Sequence, residues 1–325
     1  MASRVNQGIQ RVLDNLEASV NSGNYYEAHQ LYRSLYFRYL GRKRYADLLE
    51  LLYNGAMLLL QRDQHASGAD LGILFIDVLN RSQTERTKVY FEKITNLFSI
   101  MKQGTPERET FLHNALGWSL KHTSYKWGHP DLHKLIAEVF WQEKNYTLAK
   151  QHFIYSHDGA GCAAMLVEIH QQRGYSNEVD LFIAQVVLQY LCLRNASAAQ
   201  EALDSYTSRH PKINNGPPYL LPLLNFLSFL LKTIQLCSHE MFLILCEQYH
   251  LSLNRDPSYR IYLEKIAQLF FNAPAPRPKR QGLFGNLLES LFVGLEDEDS
   301  DMEEQATRQS SASGASTSQA PQELD

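Results

Sequence analysis

Three groupings in the sequence carry residue types that do chemistry elsewhere. Ser156-His157-Asp158 spells the side chains of a hydrolytic triad in consecutive positions. Triad members meet in space, and adjacent side chains diverge, so the string carries no catalytic reading. Gly159-Ala160-Gly161-Cys162-Ala163-Ala164 matches the G-x-G-x-x-A form of a dinucleotide-binding turn. That turn needs a preceding strand and a βαβ unit. Residues 149–155 read instead as helix, and no parallel-strand pattern occurs elsewhere. The segment is expected to be a small-residue joint where two helices pack closely. His129 and His133, four apart, share a helix face, but zinc needs a third ligand at suitable reach and none is evident. His129-Pro130 reads as a helix start. Without a Walker loop, an H-E-x-x-H pair or a kinase signature, the chain is expected to be non-enzymatic, with no catalytic, cofactor-binding or metal-ligating residue.

The elements that would position any site are helices. Ala28, Leu31, Tyr32, Leu35, Tyr36, Tyr39 and Leu40 lie on one helical face, and Val179, Phe182, Ile183, Val186, Val187, Tyr190 and Leu191 repeat the pattern. Thr105-Pro106-Glu107 and Asp256-Pro257 each set a capping residue before a proline. A degenerate repeat runs through Asn24-Tyr25-x-x-Ala28, Arg44-Tyr45-x-x-Leu48, Asn145-Tyr146-x-x-Ala149 and Asn195-Ala196-x-x-Ala199. A polar entry is followed by an apolar or small residue that lets a partner helix approach, the local logic of tetratricopeptide-like hairpins. The expected fold is all-α: about fourteen helices in stacked antiparallel hairpins, an α-solenoid.

Composition agrees with a folded soluble chain: 325 residues, 44% hydrophobic and 20% charged. Cys162, Cys192, Cys237 and Cys246 lack C-x-x-C spacing and read as reduced core residues. The N-terminus has no apolar signal segment, and the apolar stretch Tyr219 to Leu236 is broken by Pro222, Asn225, Ser228, Lys232 and Gln235. A cytosolic location without direct membrane insertion is expected. The sequons at Asn80, Asn145 and Asn195 then carry no glycan.

Charge is unevenly distributed. Residues 1–44 hold seven basic side chains against three acidic ones, and residues 296–325 hold nine acids against Arg308. The basic end suggests a docking face for an acidic partner. Nucleic acid is not expected, since the isoelectric point is about 6.3 and the tyrosines fall on the core face. His210-Pro211-Lys212-Ile213-Asn214-Asn215-Gly216-Pro217-Pro218 is a turn-rich insertion. The expected organisation is an N-terminal repeat half (1–157), a C-terminal repeat half (158–272), a Pro-rich basic linker (273–282), a short amphipathic helix (283–295) and a disordered acidic, Ser-rich tail (296–325). Pro276-Arg277-Pro278-Lys279-Arg280 is too short to read as an import signal.

Several stretches resemble one family. Gly23-Asn24-Tyr25-Tyr26-Glu27-Ala28-His29-Gln30, then Phe37-Arg38-Tyr39, is similar to the opening of the Golgi-to-ER traffic protein 4 family, the scaffold subunits of the guided-entry pathway for tail-anchored proteins. Gly128-His129-Pro130-Asp131-Leu132-His133, Cys162 to Glu168, Gly216-Pro217-Pro218, Leu245-Cys246-Glu247-Gln248-Tyr249, Gly285-Asn286-Leu287-Leu288 and the terminal Glu323-Leu324-Asp325 also resemble it, more as in animal than in fungal members. The resemblance runs from about Gln10 to Leu295 and implies a non-catalytic α-solenoid. Its N-terminal half would dock a targeting ATPase. Its C-terminal half would hold a ubiquitin-like protein, or in animals a BAG-domain chaperone scaffold that carries one. It further implies delivery of tail-anchored proteins to the endoplasmic reticulum, quality control of misfolded hydrophobic clients and cytosolic retention of the BAG-domain partner.

Docking residues are expected at both ends. Arg33 and Arg38 match the family pattern and are assigned to the ATPase face, with Arg42, Lys43 and Arg44 as neighbours. Phe226, Phe229, Leu230, Phe242, Leu245, Tyr249, Phe270 and Phe271 exceed what a last repeat should bury alone, and are assigned to the C-terminal partner. A generic helical-repeat scaffold of another assembly is the alternative.

Overall fold

The repeat recognised in the sequence folds into one recurring turn. In the computed structural model, which describes residues 2–121, 123–214 and 216–274, fifteen α-helices and no strand occur among the described residues. They are α1 (Ala2–Asn21), α2 (Tyr25–Leu40), α3 (Tyr45–Gln61), α4 (His65–Arg81), α5 (Lys88–Ile100), α6 (Pro106–Leu120), α7 (Pro130–Gln142), α8 (Tyr146–Tyr155), α9 (Gly159–Arg173), α10 (Val179–Cys192), α11 (Ala196–Arg209), α12 (Pro222–Gln235), α13 (His239–Gln248), α14 (His250–Leu253) and α15 (Ser258–Phe271). The expected linker beyond Pro274, the 283–295 helix and the 296–325 tail lie outside the described residues.

Six helices begin in the same way. The backbone N–H of Asn24, Arg44, Gln64, Asn145, Asn195 and Ser238 donates to the carbonyl five residues back, on Ser19, Tyr39, Leu59, Phe140, Tyr190 and Thr233. The residue before each has a left-handed backbone: Gly23, Lys43, Asp63, Lys144, Arg194 and Cys237. This is the Schellman closure of a helix end. The turn then starts the next helix, with Asn24, Asn145, Asn195 and Ser238 accepting from the N–H three residues on. Four residues past each entry the chain faces a neighbouring helix: Ala28, Leu48, Ala149 and Ala199 are fully buried.

Short turns make sequential helices antiparallel neighbours, as in α1–α2, α3–α4, α7–α8 and α10–α11, while alternate helices stack along the spine, α2 on α4, α4 on α6, α3 on α5 and α5 on α7. The α-solenoid expected from the sequence is thus present through Ala273, one compact unit. Helix α10 is the centre of its C-terminal part. It meets α9, α11 and α12, and α15 folds back across it. An apolar stripe is therefore not enough for α10: Asp180, Ala184, Leu188, Gln189 and Cys192 are buried along with the expected stripe, of which only Phe182 is half-buried. The return is latched by polar contacts. Arg255 donates to Asp180 at 2.6 Å, and Gln189 Nε2 donates to the Tyr262 hydroxyl at 3.2 Å.

Some local readings need correction. The Thr105 hydroxyl does not cap α6; it donates instead to the Lys102 carbonyl at 2.9 Å. Asp256 does accept from the Ser258 N–H, at 2.8 Å. Cys162 and Cys192 are buried, but Cys237 is exposed at a left-handed turn and Cys246 is half-buried, so only two of the four are core residues.

Gly159 shows why a glycine opens α9. A β-carbon there would lie 2.3 Å from the Ala198 carbonyl oxygen and 2.8 Å from the Ala202 nitrogen, both backbone of α11. The small-residue joint is thus a close α9–α11 approach that no side chain relaxes. Gly159→Ala is expected to destabilise the chain by about 1–3 kcal/mol, the usual cost of overpacking, read from the denaturant midpoint. An unchanged midpoint would show that the two helices separate freely.

Candidate partner-docking surfaces

The groupings that suggested chemistry are structural. Ser156 is fully buried, its hydroxyl donating to the Phe153 carbonyl at 2.8 Å. Asp158 caps α9 by accepting from the Gly161 N–H at 2.7 Å, and pairs with Lys134 at 3.0 Å. His157 is exposed and makes no bond to either neighbour among the described residues. His129 caps α7 through Nδ1, whereas His133 turns inward to His152, so the two do not converge. Among the described residues no group of His, Cys, Asp and Glu is placed to hold a metal ion, and no helix is long and apolar enough to cross a membrane.

The N-terminal face is built on α2, which α4 holds rigidly. His29 Nε2 donates to Asp70 Oδ2 at 2.7 Å, and the Tyr36 hydroxyl donates to Asp77 Oδ2 at 2.6 Å. Both members of each set are seven residues apart, two helical turns, so the contacts repeat along one seam. Burial, with the Asp77 carboxylate added, pushes the Tyr36 phenol up to about 12, so it stays a hydrogen-bond donor. Beside this seam, and facing away from the buried Ala28, Tyr32, Leu35 and Tyr39, the residues Tyr26, Gln30, Arg33 and Phe37 form an exposed stripe at helical spacing. Tyr26 is 77% exposed and Phe37 64%.

The five basic residues do not form one uniform patch. Arg33 is exposed and reaches Asp70 only at 3.7 Å. Arg38 donates to the Gly8 carbonyl at 3.0 Å, tying α2 to α1. Arg44 is committed to Asp47 at 2.7 Å and lies over the Tyr39 ring. Arg42 and Lys43 sit exposed in the turn, and neither makes an ion pair among the described residues. The exposed aromatics Tyr26 and Phe37 were not assigned from the sequence. Their signal was present, as a second stripe offset from the core stripe of α2.

At the C-terminal end the assigned residues separate. Phe226, Leu230 and Phe242 are buried, a correction to their assignment as a surface. The reason is the folding back of the last helices: α12 packs on α10, Tyr249 covers Phe226 at 5.7 Å between ring centroids, and Phe271 covers Phe242 at 5.0 Å. Leu245, Tyr249, Phe270 and Phe271 are half-buried, and Phe229 alone is exposed, at 46%. The uncovered apolar surface lies mainly elsewhere on α13. Met241, Leu243 and Ile244 are each half exposed or more, Leu236 and Leu251 flank them, and Phe242 is the one buried residue of that helix. Among the described residues this leaves an exposed apolar patch on α13, a candidate interaction surface.

Relatives align with this architecture. The model of the family Golgi to ER traffic protein 4 matches residues 42–292. The chain is 49% identical to the Golgi to ER traffic protein 4 homolog of Oryzias latipes, over 90% of each chain. It is 47% identical to the homolog of Homo sapiens, over 90% of this chain and 89% of that one. A crystal structure of C. therm. Get4 matches with a TM-score of 0.76 at 27% identity, covering 88% of this chain and 96% of that one.

Proposed function

Since the chain belongs to the Golgi to ER traffic protein 4 family, we propose that it is a non-catalytic adaptor in the delivery of tail-anchored proteins to the endoplasmic reticulum, acting in the cytosol. The observation that carries this reading is the exposed apolar face of α13 on an otherwise well-packed spine. A long-lived partner that covers it gains hydrophobic burial, with Leu243, Ile244 and Phe229 as anchors. The partner proposed there is the BAG-domain chaperone scaffold, which brings a ubiquitin-like protein with it. Its capture would retain that scaffold in the cytosol and give access to quality control of misfolded clients.

The targeting ATPase is assigned to α2. Tyr26 and Phe37 supply contact area, while Arg33, Arg42 and Lys43 supply a positive field that speeds encounter and weakens with salt. Arg38 and Arg44 shape this face more than they meet the partner, since both are already bonded within the chain.

The two surfaces are separable by substitution. Arg33→Glu with Arg42→Glu is expected to lower ATPase capture at least tenfold at physiological salt, leaving the BAG-domain partner bound. Leu243→Asp with Ile244→Asp is expected to do the reverse. Copurification from cells, with the melting temperature of each variant checked, reads both arms. Full retention of both partners by both variants would refute the assignment, and recovery of an unrelated complex in their place would favour the generic scaffold.

A further inference from the structure

Two histidines close the joint between α9, α11 and α10. His170, in the last turn of α9, is 1% exposed, and His210, at the end of α11, is 2% exposed. Their hydrogen bonds form one directed chain. The Lys212 N–H donates to His210 Nδ1 at 3.2 Å, His210 Nε2 donates to His170 Nδ1 at 2.9 Å, and His170 Nε2 donates to the Tyr175 carbonyl at 2.9 Å. Each ring uses one nitrogen as donor and the other as acceptor, which holds only when both are neutral. An added proton on either ring would set two N–H groups against each other. The titratable groups acting on His210 are His170 and Lys212, both of which disfavour its charge. The rings of Tyr206 and Phe182 complete the enclosure. Gly174 lets the chain close down, since a β-carbon there would lie 2.4 Å from the His170 ring.

The carbonyl that ends this chain belongs to a segment that also holds the last helices. Lys212 Nζ donates to Ser176 Oγ at 3.0 Å. Arg255 donates through Nη2 to the Asn177 carbonyl at 2.6 Å and through Nη1 to the buried Asp180 carboxylate. Arg255 lies just before α15, which packs on α10. We infer that the His170–His210 pair is a proton-sensitive latch: its protonation releases residues 175–178, and with them the Arg255 anchor that seats α15 on α10. Mild acid therefore loosens the C-terminal helices locally, before the spine as a whole unfolds. Burial supports the same direction, holding the His210 imidazole down at about 4.

Hydrogen–deuterium exchange of the full chain at pH 7.5 and 5.5, corrected for the intrinsic rate, tests this. A group with an ordinary value in the open state and one near 4 in the closed state raises the open population about tenfold over that interval. Amides 175–178 and 212–214 are expected to show that rise in the unsubstituted chain, and to lose most of it in His210→Gln, whose amide still donates to His170 without titrating. Amides of α3 and α4 should stay more protected than these at both pH values. An equal acid response in His210→Gln, or none in the unsubstituted chain, overturns the latch. Should His210→Gln not fold, the imidazole nitrogen shifts of the unsubstituted chain decide. Two neutral rings at pH 6.0 support the latch, and an imidazolium within the folded chain overturns it.

Discussion

Replacing Arg108 with alanine is expected to cost about 3–5 kcal/mol of folding stability, the usual penalty for stranding one partner of a buried ion pair. Arg108 is 5% exposed in the first turns of α6. Its guanidinium donates to both oxygens of Glu143, with Nη1 to Oε2 at 3.2 Å and Nη2 to Oε1, while Nε donates to the Phe98 carbonyl at 3.3 Å. It also lies over the Phe98 ring, 4.0 Å from the centroid. Glu143 closes α7, so one side chain joins α5, α6 and the α7–α8 turn. Truncation leaves the Glu143 carboxylate with little solvent and no counter-charge, and uncovers the Phe98 and Phe140 rings that Arg108 lies over. The double substitution Arg108→Met with Glu143→Leu removes the stranded charge, and should recover most of the loss. Urea midpoints of the two variants and the parent decide it; a single variant within about 1 kcal/mol of the parent would mean that the pair is not holding these helices together.

Acid is expected to remove about 3 kcal/mol through the other histidine pair. His133 Nε2 donates to the Trp127 carbonyl at 3.0 Å, so its Nδ1 must accept from His152 Nδ1 at 2.9 Å. Phe140 stacks on His152, and Tyr155 lies against His133. Burial pushes His133 down to about 4 from its ordinary 6.5, with the nearby His129 adding to the effect; burial also holds His152 well below its ordinary value. Both folded values are lower than the unfolded ones, so the unfolded chain binds more protons as pH falls. The stabilisation is complete above about pH 6.5 and is lost as pH descends towards 4, and a shift of this size is worth roughly 3 kcal/mol. Unfolding free energies at pH 7.5, 6.0 and 5.0 should fall in that order, with a smaller fall in His133→Gln. A flat profile across that interval would contradict the neutral pair.

How much of this was legible beforehand depends on the range of the interaction responsible. Asn24, Asn145 and Asn195 announce helix starts because the capping bond spans three residues. The left-handed residue before each entry was harder to see, since only Gly23 among the six is glycine and the others carry side chains that sterics disfavour there. Gly159 was readable as a close-packing residue, but not which backbone it meets.

The docking faces divide along the same line. Arg33 and Arg42 could be marked as charged and exposed from composition alone, whereas the commitment of Arg38 to Gly8 and of Arg44 to Asp47 required the packed helices. Phe226 and Phe229 differ by three residues on one helix, yet the first is enclosed and the second open.

The sequence by itself determined the helices, their order, their turns and the absence of any recognisable catalytic motif, since each follows from the 3.6-residue period and from bonds a few residues long. Which apolar face is left over for another protein was decided only in three dimensions. Residues such as Arg255 and Tyr262 return to Asp180 and Gln189 across more than seventy intervening positions. Hydrophobic burial has no direction and carries no address in the chain, so only the packed arrangement sorts Phe242, which is covered, from Leu243 and Ile244, which are not.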